Sequence, residues 1–274
     1  MTREGIDALL AATWPPVSTR ALGPWTLRSG GGGGKRVSAA STRATVTGDD
    51  IAQAERAMVG EDRQPLFAVF AGQHDLDRYL TERAYHTLDP TLFFDAPIAE
   101  IDTGTTPGVR AVHDVQTMSA QAVHDVPTSG ARTVHDVPTP GVHPVYVPCT
   151  QAEPSDDART IWAAGGIGPA RIAVMDRVTA PKTTLLLRRA GIPVAAAFVA
   201  LHGRTAMLHA LETAADQRRQ GAGRATFFAA AAWAAGLGAD RIALLVTRAN
   251  APAIALYRDL GMTGRACYHY RIRP

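Results

Sequence analysis

Arg218-Arg219-Gln220-Gly221-Ala222-Gly223-Arg224 decides how this chain of 274 residues is read, because of what stands on either side of it. Before it, Thr205–Thr213 (TAMLHALET) reads as a strand. After it come an Ala-rich helix from about Gly223 to Ala235, a strand at Arg241–Thr247 (RIALLVT) and a final helix. Asn250 is a natural N-cap for that last helix, Pro252 sits in its first turn and Gly261 lies where it should stop. The glycines of the loop let backbone N–H groups crowd around an anion, and the helix N-terminus behind it adds partial positive charge. The flanking arginines offer further contacts to phosphate oxygens. An ordinary tight turn is the competing reading of the loop by itself. A dinucleotide GxGxxG fingerprint is not completed, since Thr226 replaces the third glycine and the preceding strand does not open a parallel unit.

Upstream, Thr183–Arg188 (TTLLLR) and Val194–Leu201 (VAAAFVAL) precede Thr205–Thr213, with short glycine-containing turns at Arg189–Gly191 and His202–Arg204. The three form an antiparallel meander. Downstream, Cys267–Ile272 is strand-like. The order of strand, RRQGAG loop, helix, strand and then Asn250…Ala255-Leu256-Tyr257-Arg258-Asp259-Leu260-Gly261-Met262 resembles the GNAT N-acetyltransferase superfamily. The resemblance rests on that family's pyrophosphate loop (Q/R-x-x-G-x-G/A) and its N-x-x-A-x-x-[AL]-Y-x-x-x-G-[FM] helix. It covers about 155–274, with the motifs confined to 205–263.

The resemblance implies an α+β fold with a mixed, mostly antiparallel sheet flanked by helices. It also implies transfer of an acetyl group from acetyl-CoA, as co-substrate, to an amine that attacks the thioester directly. By resemblance, the backbone of Leu211 to Thr213 holds the pantetheine arm, and Arg218, Arg219, Gln220, Gly221, Ala222, Gly223 and Arg224 cradle the pyrophosphate. Asn250 lies against the cofactor, and Tyr257 protonates the departing thiolate. The chemistry agrees: an ammonium must lose a proton before it attacks, and the developing oxyanion needs a fixed donor, which a strand N–H supplies. A packed core tyrosine is the competing reading of Tyr257. For the base, Glu212 is the candidate, because the carboxylates after residue 177 are Glu212, Asp216, Asp240 and Asp259 and only Glu212 lies in a central strand. His209, His202 or a water relay are the alternatives, and an ion pair with a neighbouring arginine is the non-catalytic role for Glu212. The family's glutamate in the next strand is missing, where Leu244-Leu245-Val246 stands instead.

The first 100 residues read as a smaller α/β domain. Leu22–Ser29 and Val37–Val46 are strand-like runs joined by Gly30–Gly34, followed by a helix from Asp49 to Met58. Leu66–Phe70 and Pro90–Phe94 are strands, and Asp75–Ala84 is a helix. Gly30–Gly34 followed by Lys35 is not a P-loop: Ser29 and Arg36 break the pattern, and a hairpin tip is expected. Trp25-Thr26-Leu27-Arg28, the glycine run and Lys35-Arg36-Val37-Ser38 resemble the degenerate N-terminal half of tandem GNAT proteins. That implies a cofactor-free domain shaping the acceptor site. Between the halves, 111–143 is an 11-residue repeat (AVHDVQTMSAQ, AVHDVPTSGAR, TVHDVPTPGVH) broken by prolines and glycines, read as an extended linker. Its His-Asp pairs are poorly preorganised for metal, and no metal site is expected. The expected organisation is thus 1–100, a linker over 101–150, and a catalytic domain over 151–274.

Composition bounds the rest. With 46% apolar residues the chain can build a core. Two cysteines make no disulfide framework, no run approaches the ~20 apolar residues of a membrane helix, and the start shows no signal peptide, so a cytoplasmic protein is expected. Residues 1–150 carry 12 Lys/Arg against 17 Asp/Glu (−5), and residues 151–274 carry 16 against 8 (+8). The basic half suits an anionic partner, a phosphorylated cofactor or nucleic acid. It lacks interleaved aromatics and any nucleic-acid motif, so no nucleic-acid partner is expected. A CoA-binding pseudoenzyme or sensor module is the alternative function. The sequence leaves oligomeric state and the identity of the amine open.

Overall fold

The structure, a computed structural model, describes residues 1–101 and 145–273; the repeat-bearing segment 111–143 lies outside them. In the N-terminal half, α1 (Arg3–Thr13) leads into β1 (Ser18–Leu22), β2 (Trp25–Ser29) and β3 (Ser41–Thr42), then α2 (Gly48–Gly60), β4 (Leu66–Phe70), α3 (His74–Glu82) and β5 (His86–Pro97). In the C-terminal half, β6 (Tyr146–Gln151), α4 (Asp156–Ala164) and α5 (Pro169–Asp176) precede a meander of β7 (Lys182–Arg189), β8 (Ile192–His202) and β9 (Thr205–Thr213). Then come α6 (Ala222–Gly236), β10 (Arg241–Thr247), α7 (Ala251–Asp259) and β11 (Thr263–Ile272).

A three-stranded sheet runs β1-β2-β3, and an eight-stranded sheet runs β4-β11-β5-β10-β9-β8-β7-β6. All pairs in the larger sheet are antiparallel except β9 with β10. The apolar residues alternate as a two-faced sheet requires. On one face Ala197, Val199, Leu208, Ile242 and Leu244 pack beneath Phe227, Ala230 and Ala234 of α6 and Tyr257 of α7. On the other, Ala196, Phe198 and Ala200 meet Trp162 of α4 and Ile172 and Met175 of α5. Ile6 and Leu9 of α1 cover Phe93, Met207, Ala243 and Tyr268 on that same face. In the N-terminal half α2 and α3 pack on Phe67 and Val69 of β4, together with Trp25 and Leu27.

The meander, the strands at 66–70 and 241–247 and the helices α6 and α7 lie where the sequence reading puts them. Four features differ from it. The expected divide between 1–100 and 151–274 does not separate two sheets, because β4 and β5 are strands of the same sheet as β10 and β11. Strand β6 occupies 146–151, all but its last residue inside the stretch assigned to the linker. Val37–Val46 is not one strand: a 3₁₀ turn at Lys35–Val37 precedes the two-residue β3. Gly30–Gly34 is not a free hairpin tip either; a Cβ on Gly33 would lie 2.4 Å from Val174 Cγ2, so the run packs flush on α5.

Asp95 of β5, nearly fully buried, accepts from Arg241 of β10 at 2.5 Å and from Arg265 of β11 at 2.7 Å. Burial works to raise its carboxyl, but the two guanidiniums outweigh it and hold the carboxyl below its ordinary value. A depressed folded-state value means this contribution is present above about pH 4 and is lost as pH falls below it. Asp95→Asn leaves both guanidiniums short of their anion. Because these are more than a third exposed, screening limits the expected loss to about 1–3 kcal/mol. Urea unfolding at pH 7 and at pH 3 checks both halves of this: the difference between wild type and variant should shrink at the lower pH.

Candidate active site

The parallel pair β9–β10 is short. Its register runs from Arg241↔Thr205 to Leu244↔Leu208 and stops there, although both strands continue. Beyond it, 209–213 and 245–247 are not paired with each other, which leaves an open slot between the two strands. The slot begins at a β-bulge. Ala196 faces Glu212 and Phe198 faces His209, so Ala210 and Leu211 together oppose Ala197, and Ala210 has φ +51°. Trp162, fully buried on α4, fixes the bulge by donating its indole N–H to the Ala210 carbonyl at 2.8 Å.

At the far end of β9 the chain turns into α6. Arg219 (φ +62°) and Gly221 (φ +90°) both adopt the left-handed region, a backbone that turns successive amides toward one point. No side chain caps α6 and no acidic residue stands in its first turn, so the amides of Ala222, Gly223 and Arg224 and the positive end of the helix are available to an anion. Gly223 allows a close approach: a Cβ there would sit 3.4 Å from Leu256 of α7 and 3.8 Å from Thr213 Oγ1. The loop itself is pinned. Tyr146 donates to the Gln220 carbonyl at 2.5 Å, Arg189 to Gln220 Oε1 at 2.5 Å, and Gln220 Nε2 to the Asp216 carbonyl at 3.0 Å.

The remaining expected residues are placed as follows. Leu211 and Thr213, half-buried, line the α6 side of β9. Arg218 turns back to β9, donating to Glu212 at 2.9 Å and to the Thr213 carbonyl at 3.3 Å. Glu212 therefore has the ion pair, with its carboxylate against Gly165 on the α4 side. Asn250 caps α7, accepting from the Ala253 amide at 3.2 Å. Tyr257 is buried, with ring centroids 5.8 Å from Phe94 and 6.1 Å from Phe227. Burial pushes its phenol well up, so the hydroxyl stays protonated.

The two histidines separate cleanly. His202 is exposed at the β8–β9 hairpin, the end of β9 opposite the slot. His209 is buried at the slot's start and stacked on Trp14 at 4.7 Å. Its Nδ1 lies 3.4 Å from an Arg36 N–H, and a guanidinium can only donate, so Nδ1 accepts and Nε2 carries the hydrogen. Nε2 then donates to Thr13 Oγ1 at 3.0 Å, which donates to the Leu9 carbonyl at 2.7 Å. Burial first, and Arg36 second, lower the His209 value well below the ordinary one. With both nitrogens engaged, it is a neutral wall residue.

The sequence reading names no residue of the N-terminal half that lines the slot. A cavity of about 240 Å³ opens there between Ala210, Thr247, the 33–36 loop and Tyr268 and Tyr270. A larger one, about 700 Å³, lies under α1 and the small sheet, and Trp14, Arg36, Tyr268 and Tyr270 border both. The tail Tyr268-His269-Tyr270 thus divides by strand alternation. The tyrosines line the cavities, while His269 faces away to Asp77 at 2.7 Å. Among the described residues no group of three or more His, Cys, Asp or Glu gathers as metal ligands, and no helix is long and apolar enough to cross a membrane.

Residues 161–262 match the model of the acetyltransferase (GNAT) family. No curated protein matches the chain. Among solved structures, a GCN5-related N-acetyltransferase from Kribbella flavida superposes with a TM-score of 0.65 at 17% identity, covering 100% of this chain and 96% of that one. A functionally unknown conserved protein from Staphylococcus epidermidis ATCC 12228 gives 0.63 at 8% identity, covering 100% and 97%. A tandem GNAT protein from the clavulanic acid biosynthesis pathway gives 0.53 at 13% identity, covering 95% and 85%. At these identities the structures speak for the fold alone, over both halves of the chain. Residues 161–262 thus match the acetyltransferase (GNAT) family, and the fold over both halves of the chain is the one seen in GNAT proteins, a tandem one among them.

Proposed function

We propose that this protein transfers an acetyl group from acetyl-CoA to an amine. The observation that carries the reading is the uncapped start of α6, with its two left-handed loop residues, standing at the end of the β9–β10 slot. Acetyl-CoA supplies the thioester. The amides of 221–224, with Arg219 and Arg224 beside them, bind its pyrophosphate, and the unpaired edge of β9 at 210–213 takes the pantetheine arm and presents an N–H to the developing oxyanion. The amine nitrogen bonds to the acetyl carbon, the carbon–sulfur bond breaks, and Tyr257 gives its proton to the departing thiolate. The proton lost by the ammonium goes to Glu212 or to water. Glu212 serves only if its ion pair with Arg218 opens, which makes a water relay the simpler route.

The same ion pair, with both nitrogens of His209 engaged, favours a second reading: a CoA-binding module without turnover. Thiol release from acetyl-CoA across a broad amine panel separates the two, since the second gives none above background.

Gly221→Asp places a side chain at a left-handed position and a negative charge in the pyrophosphate seat. Calorimetry should show acetyl-CoA binding abolished, and unchanged affinity would refute the assigned seat. Tyr257→Phe removes the proton donor and keeps the ring. If Tyr257 is the acid, kcat should fall about 10²–10⁴-fold at unchanged acetyl-CoA affinity. A rate within about threefold of wild type, with chemistry rate-limiting, would leave Tyr257 as packing only.

A further inference from the structure

We infer that the acceptor amine carries a carboxylate and that Arg36 binds it, an inference that rests on the acetyl-transfer reading above. The cavity of about 240 Å³ beside the slot is lined by three cationic side chains, Lys35, Arg36 and Arg171, and one carboxylate, Asp89. Asp89 is taken by Lys35 at 2.9 Å, and among the described residues neither Arg36 nor Arg171 is paired with a carboxylate. The lining therefore keeps two positive charges (3 − 1 = 2).

Arg36 is the better placed of the two. Its Nε reaches the Tyr268 hydroxyl at 3.3 Å and its Nη1 the His209 ring at 3.4 Å. Both are neutral acceptors at long range, and they leave most of a five-donor guanidinium without an anion. Trp14 stands 6.0 Å from it. A half-buried guanidinium held in place by neutral groups is suited to receive a carboxylate in the forked geometry that arginine favours. A pyrophosphate is not its partner. The α6 start lies beyond Thr213, four residues farther along β9, or about 13 Å at strand rise. The anion at Arg36 must then belong to the other substrate. Because Arg36 touches His209, the residue next to the bulge where the slot opens, the carboxylate and the attacking amine are only a few bonds apart. That fits an amino acid or a similarly small amino carboxylate, with any longer side chain passing Arg36 toward the larger cavity it also borders.

The test pairs each of the common amino acids with its own amide, measuring thiol release from acetyl-CoA. The amide keeps the amine and side chain and loses only the negative charge. Its amine is the weaker base, so solution chemistry at neutral pH favours the amide. Wild type should nonetheless prefer at least one acid over its amide by ~10- to 100-fold in kcat/KM, the scale of a charge-assisted hydrogen-bonded contact. Arg36→Gln should erase that preference through KM, with kcat on amides and acetyl-CoA affinity unchanged, and Arg36→Lys should restore part of it. Amides used as well as acids by wild type, turnover confined to amines lacking a carboxylate, or a preference that survives in Arg36→Gln would each overturn the inference. The wild-type comparison needs no variant, so a misfolded Arg36→Gln protein does not shield the inference. Acetyl-CoA binding with no thiol release from any amine also overturns it, in favour of a CoA-binding module. Failure of acetyl-CoA to bind at all is the distinct result that removes the acetyl-transfer reading itself.

Discussion

The placement of β5 between β10 and β11, and of β11 between β5 and β4, is the constraint on which the rest of the structure depends. Each half lends its last strand to the other. The central order β4-β11-β5-β10 reads the same when the halves are exchanged, since β4-α3-β5 in one corresponds to β10-α7-β11 in the other. Even the parallel contact recurs: Ala40 bridges Phe67 in parallel as β9 pairs with β10. Neither half can close its sheet alone, and the side chains at the exchange show why the site depends on it. Phe94 of β5 packs on Tyr257, Asp95 ties β5 to β10 and β11, and Tyr268 of β11 accepts from Arg36 of the N-terminal half.

The two halves share a skeleton and differ at the helix start that would meet a phosphate. Helix α2, the counterpart of α6, opens with Thr47 and Asp50 in a reciprocal capping box, and Asp49 stands beside them. Its first amides are spent on its own side chains, and two carboxylates oppose any further anion. At α6 the corresponding position is Gly221, which offers no cap and no charge. The larger cavity beside β3 and β4 thus has no open helix start to seat a pyrophosphate, which, under the function proposed, suits it to an acceptor more readily than to a CoA arm.

Local pattern made much of the C-terminal half legible. Thr205–Thr213 and Arg241–Thr247 are apolar runs closed by polar or glycine turns, and the helix from Asn250 to Gly261 writes its own cap and stop. The strand exchange could not be read, because strand order is settled by contacts between distant segments and leaves no period in either. Strand β6 was hidden for another reason: as an edge strand it is mostly exposed and holds Pro148, so it lacks the apolar alternation that marks a strand. Arg36 and His209 lie 173 residues apart in sequence, and nothing near either one announces the other. The only local sign was the glycine run before Lys35, whose lack of side chains serves close packing on α5.

The bulge at Ala210 shows how one backbone irregularity sets the chemistry of both faces. Side chains alternate along a strand, so His209 on the α4 face would without interruption place Leu211 on that face and Glu212 on the other. There Glu212 would enter the apolar cluster built by Phe227, Leu244 and Tyr257 and would be left without a partner. The extra residue reverses the alternation. Leu211 turns to the α6 cluster, and Glu212 turns to the α4 side, level with Ala196, where Arg218 reaches it. The same irregularity sits where the β9–β10 pairing has already ended, so the strand edge is free of its neighbour along the stretch where the bulge reorients it. The apolar side chain of Leu211 on the α6 face and the ion pair of Glu212 on the α4 face are therefore two consequences of one residue in β9, held there by the Trp162 indole on the Ala210 carbonyl.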